Sequence, residues 1–169
     1  MRLGSLFAVL LVLMPMTGSL AAKDDEALGR FRDWYAVAYV ESGKKICYMV
    51  TQPTKSEGDY TQRGPTYVQV TRREGDSVPD VVSFEAGYPF KDASEVQVSV
   101  DGKAHTLFTD GQTAWAYDEK SDKTLANAMA KGSKMLVKGT SARGTLTTDT
   151  YSLLGFIAAR RAITQACGK

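Results

Sequence analysis

Apolar and polar positions alternate with a period of two along most of this chain, and lengthen to a helical period in two places. The first alternating run is Trp34 to Val40. Trp34, Ala36, Ala38 and Val40 oppose Tyr35, Val37 and Tyr39, and both sets are largely apolar, which predicts a strand covered on two faces. After a turn at Ser42 to Lys45, Ile46 to Gln52 reads as its partner, ended by Pro53, which has no N–H to donate. Further strands are predicted at 66–72, 81–85, 95–100, 103–109, 113–117, 134–139 and 145–151. Asp101-Gly102 between two alternating runs is the strongest local signal, because this pair supplies the positive φ of a type I′ hairpin. The charged stretch 23–32 predicts a tail or turn, and the polar stretch 54–65 a mobile loop.

Leu125, Ala128 and Met129 fall at helical spacing, so a short helix is predicted over 121–131, capped by Ser121 or Asp122 and ended by Gly132. Ser152 is the predicted cap of a C-terminal helix near 152–166, whose stripe is Leu153, Phe156, Ile157 and Ile163 with Cys167 beside them. Arg160 falls inside that stripe. Either the helix is rotated so that its guanidinium reaches water, or it is partly buried against a carboxylate. The first is favoured, because an unpaired buried charge costs several kcal/mol. Many short strands and two short helices predict a mainly β protein, an antiparallel β-sandwich.

Residues 1–22 change the picture of compartment. Arg2, the apolar run Leu6 to Met14 and Ser19-Leu20-Ala21-Ala22 form the pattern of a cleaved signal peptide. That run is too short to span a membrane, and no other stretch is apolar enough to do so. The expectation is a periplasmic or secreted protein, with 23–169 as one domain and no membrane anchor after cleavage. An exported chain with two cysteines usually bonds them, so Cys47 and Cys167 are the expected structural disulfide. A redox or nucleophilic thiol would want a CxxC pair or a neighbouring base, and neither cysteine has one in sequence.

The net charge of +2, near +1 once Arg2 of the expected leader is set aside, gives no electrostatic case for binding nucleic acid or an anionic membrane. A single histidine, His105, cannot assemble a metal site with bonded cysteines, and reads as a strand residue. The acidic groups Glu74, Asp76, Asp80 and Glu85, and Asp118, Glu119 and Asp122, read as solvated turns or caps rather than catalytic pairs. Gly139 to Gly144 lacks the lysine and the helix of a phosphate-binding loop, and reads as a hairpin turn exposing Arg143. Arg63, Arg143 and Arg160 are the candidate surface or anion contacts. No catalytic residue, cofactor or metal ligand emerges.

Several short motifs run along these elements: Trp34; Lys45-Ile46-Cys47 with Gln52-Pro53; Gly87-Tyr88-Pro89-Phe90; Ala114-Trp115-Ala116; Ala128-Met129 with Gly132; Gly139 to Thr145; Thr148 to Leu153 with Gly155-Phe156; and Ala166-Cys167. In that combination the chain resembles the invasion-associated locus B family of exported bacterial proteins. The resemblance implies an all-β exported domain, linked in some pathogens to invasion of host cells, with no established catalytic residues. Some members carry a further cysteine pair that this chain lacks, and members usually have an apolar or aromatic residue where Arg160 stands. The expected function is a non-enzymatic envelope or secreted binding factor, whose partner is a protein, an envelope component or a host surface. The alternative is a periplasmic ligand carrier or enzyme with a site near His105.

Overall fold

The computed structural model describes residues 25–76 and 80–168; the expected signal peptide lies outside them. Eleven strands form one hydrogen-bonded sheet. They are β1 (Glu26–Phe31), β2 (Trp34–Glu41), β3 (Lys44–Thr51), β4 (Lys55–Gly58), β5 (Tyr67–Arg73), β6 (Val81–Glu85), β7 (Glu95–Val100), β8 (Lys103–Asp110), β9 (Thr113–Trp115), β10 (Lys134–Thr140) and β11 (Leu146–Ser152). Two helices accompany them, α1 (Glu119–Lys131) and α2 (Phe156–Cys167). Every pairing is antiparallel, in the order β1-β2-β3-β5-β6-β9-β8-β7-β10-β11-β4. The mainly β, antiparallel expectation is met.

A sheet this wide must curl to bury one face. Phe84 on β6 and Tyr151 on β11 lie five places apart in the order, yet their rings meet edge-on at 6.5 Å. The Trp34 indole on β2 donates to the Ser152 carbonyl at the end of β11. The sandwich is therefore one ladder bent over itself, with a single buried cluster inside.

Helix α2 covers the inner face of β1, β2 and β3. Phe156 meets Trp34 edge-on at 5.0 Å, and Cys167 is bonded to Cys47 on β3. Ala36 and Ala38 leave room there for the helix backbone, and Ala159 and Ile163 fill it. Coverage of β2 on both faces is only partial: Val37 is buried, but Tyr35 and Val40 on its two faces are open to solvent. Asp101 and Gly102 both have positive φ, as the predicted hairpin requires.

Four local expectations need correction. The 23–32 stretch contains β1, and the 54–65 stretch contains β4. Both are edge strands, half or fully exposed, so neither needs the apolar alternation that marks a strand. Helix α1 is capped by Asp118, which accepts from the Ser121 N–H at 2.7 Å, not by Ser121 or Asp122. Ser152 ends β11, and α2 begins after Gly155, whose φ of 95° is left-handed. A Cβ at Gly155 would fall on the Phe31 carbonyl oxygen. Gly155→Ala is therefore expected to destabilise the fold by about 2 kcal/mol, from backbone strain and loss of the close β1 contact. Urea melts of the two proteins check it, and an unchanged midpoint would contradict it.

Candidate functional site

Asp149 sits where the strand period puts a core residue. On β11, Thr147, Asp149 and Tyr151 face inward, while Leu146, Thr148 and Thr150 face out or are half-buried. The carboxylate is met by Arg63, from the segment after β4. Two parallel hydrogen bonds of 2.7 Å join Nη1 to Oδ1 and Nη2 to Oδ2. The side chains are 7% and 5% exposed. The Arg63 Nε donates to the Ala86 carbonyl at 2.6 Å, and the guanidinium lies 5.0 Å from the Tyr88 ring and 5.5 Å from the Tyr60 ring. Burial pulls the Arg63 pKa down, but the Asp149 hydrogen bond and charge more than offset it and hold it above the ordinary value. Arg63 is thus not the surface or anion contact expected of a mobile loop. Its charge is consumed by a carboxylate 86 residues away.

Around this pair three segments are pinned together. Gly64 and Gly87 approach so closely that a Cβ on Gly87 would collide with the Gly64 carbonyl, and the Gly64 N–H donates to the Gly87 carbonyl at 2.9 Å. The Ala142 N–H donates to the Pro89 carbonyl, and Phe90 bridges to Ser141. Thr145 Oγ1 donates to the Asp59 carbonyl at 3.4 Å. Tyr88 shares a 2.6 Å hydrogen bond with Thr147; burial raises its phenol pKa, partly offset by Thr147. Between these segments lies a cleft of about 620 Å³, lined by Tyr60, Gln62, Tyr88, Gln112, Arg143 and Thr145 among others. Arg143 lies on the exposed turn, as expected, and makes no hydrogen bond or ion pair among the described residues.

A second buried ionic group ties the helices to the sheet. Asp80, 2% exposed, accepts from Arg72 at 2.8 Å and from the Arg160 Nε and Nη2 at 2.8 and 2.5 Å. Arg160 Nη1 also donates to the side-chain Oδ1 of Asn127 on α1 at 3.2 Å. Arg160 is 25% exposed. The alternative that carries Arg160 out into water is overturned, because Arg160 is partly buried with a carboxylate partner; of the expected stripe Phe156 and Ile163 are buried, but Ile157 is exposed and Ala159 is buried. Asp80 and Asp122 are likewise not solvated turn residues. Asp122 accepts from the Val82 N–H at 2.8 Å, and burial raises its pKa, partly offset by that N–H.

His105 lies on β8, outside the cleft. Its Nε2 is buried without a partner, and burial, helped by Lys103, lowers its pKa. Among the described residues no group of three or more His, Cys, Asp or Glu could hold a metal, and no helix is long and apolar enough to cross a membrane. The Cys47–Cys167 bond is present, with both cysteines buried and Cα atoms 6.0 Å apart.

What these features define is a curled antiparallel sheet closed by a disulfide-tethered helix, with a cleft built on a self-neutralised ion pair. Residues 34–164 match the Invasion associated locus B (IalB) protein family, and the chain belongs to it. The crystal structure of invasion associated protein b from Bartonella henselae has the same fold, with a TM-score of 0.58 and 16% identity, over 83% of this chain and 98% of that one. No curated protein matches the chain. The family motifs converge in space: Gly87 to Pro89 and Ser141 to Thr145 both line the cleft. Sequence reasoning identified these as turns and missed that they share one wall. The hint in the sequence was that Asp149 shares a strand face with Thr147 and Tyr151, although neither face of that strand is the more apolar.

Proposed function

We propose that this chain is an exported, non-catalytic binding protein of the bacterial envelope or its surroundings, and that the cleft beside Tyr60, Tyr88 and Arg143 is its binding site. The observation carrying this reading is that three distant segments are fastened around a cleft whose buried charges satisfy each other. Such a site presents aromatic, amide and hydroxyl groups in fixed positions. Acid–base or nucleophilic catalysis wants a reactive group beside its activator. Here the Tyr88 hydroxyl is bonded to Thr147 and the Asp149 carboxylate to Arg63. The apolar leader, the disulfide and membership of the invasion-associated locus B family support an exported protein that meets a partner on an envelope or host surface.

Capture from solubilised envelopes and host-cell membranes on the immobilised, oxidised protein tests it. Saturable recovery of one partner, reduced at least tenfold on Tyr60→Ala/Arg143→Ala, is expected. Equal recovery on that variant would remove the cleft from the interaction. Failure to recover any saturable partner would remove the binding reading itself.

A further inference from the structure

We propose that the start of α2 and the β1–β2 turn together form a docking face for an anionic phospholipid surface. Leu154 and Ile157 are 56% and 57% exposed. Leu154 stands in the turn before α2 and Ile157 in the first turn of the helix, and Arg161 lies four residues beyond Ile157 on the same helix face. From Phe156 to Cys167 the helix contains no acidic residue. The neighbouring turn adds further cations. Gly155 abuts the Phe31 carbonyl, and the Asp33 N–H donates to the Leu154 carbonyl at 3.3 Å, which holds Arg32 beside the helix start. Arg30 joins it through a hydrogen bond from its Nε to the Arg32 carbonyl. Across 30–33 and 154–161 the carboxylates number one, Asp33, against Arg30, Arg32 and Arg161; the charge of Arg160 is held by Asp80.

Two protruding apolar side chains ringed by arginines are the pattern of an element that rests in a lipid interface, tips inserted and guanidinium groups at the phosphates. The shape favours lipid over a folded partner. The apolar tips stand at the helix start, outside the cleft that Arg30 and Asp33 border beside Trp34 and Tyr35, so a protein side chain seated in that cleft would not engage Leu154 or Ile157. The face shares no residue with the cleft beside Tyr88, so either assignment can fail alone.

The test is co-sedimentation of the oxidised chain with vesicles of phosphatidylglycerol and phosphatidylcholine in equal parts, against phosphatidylcholine alone. Binding should require phosphatidylglycerol and weaken as salt is raised. In the same chain, Leu154→Glu/Ile157→Glu should reduce binding at least tenfold. Arg32→Gln/Arg161→Gln should reduce it roughly 25-fold, about fivefold for each arginine near the surface. Lys138→Gln, which removes an exposed cation on β10 away from both the cleft and this face, should leave it unchanged. Ile157→Trp gives a second readout, an emission blue shift with the mixed vesicles that brominated lipid quenches. Binding indifferent to phosphatidylglycerol, equal loss with Lys138→Gln, or no blue shift would each overturn the proposal.

Discussion

With Cys47 and Cys167 both replaced by alanine, the chain is expected to lose up to about 5 kcal/mol of folding stability. The bond closes a loop of 120 residues, and the chain-entropy argument assigns a closure of that size roughly that value. It is comparable with the whole stability of many domains. The loss is not softened by solvent, since both sulfurs are buried under α2. Reduction of the wild-type protein should reproduce the effect without changing the sequence. Guanidinium melts of the oxidised, reduced and double-alanine proteins check it. A difference below about 1 kcal/mol would mean that Trp34–Phe156 packing and the Arg160–Asp80 pair hold α2 without the bond.

Asp149→Asn is expected to cost about 3–5 kcal/mol, because it leaves the Arg63 guanidinium buried without a counter-charge. The same pair should be far less costly to remove together: Arg63→Met/Asp149→Leu deletes both charges and should recover much of the loss. The result would separate the ionic link from the packing around it. It should also be insensitive to salt, since the pair is screened from solvent. Equal instability of the single and double variants would indicate that the Arg63 hydrogen bond to Ala86 and its place between Tyr60 and Tyr88 matter more than charge.

Much of the ladder was legible because central strands must put apolar side chains on one face. Glu95–Val100 and Lys103–Asp110, joined by Asp101-Gly102, are the clearest case. The strands that escaped are β1 and β4, at the two ends of the sheet. Lys55, Ser56, Glu57 and Gly58 are all exposed, so no period could betray them. The cleft was harder to read. Asp149 lies in a strand whose outward positions, Leu146, Thr148 and Thr150, are as apolar as its inward ones, so the buried face could not be chosen from composition. Its partner Arg63 lies in a segment that looks like solvated loop until the carboxylate claims it. Arg160 failed for the related reason that Asp80, 80 residues away, is invisible to a helical wheel.

The sequential distance between α2 and the strands it covers has a kinetic consequence. Trp34, Ala36, Ala38 and Cys47 belong to hairpins that can form early, yet their cover is supplied by the residues around Phe156 to Cys167. A chain emerging from its amino end displays that apolar face, with an unpaired thiol in it, until the segment from Phe156 to Cys167 has been delivered. Folding is then governed by long-range closure, which is slow and leaves sticky intermediates. Sealing the loop takes an oxidant, and the apolar face stays open to water until α2 arrives and Cys167 reaches Cys47.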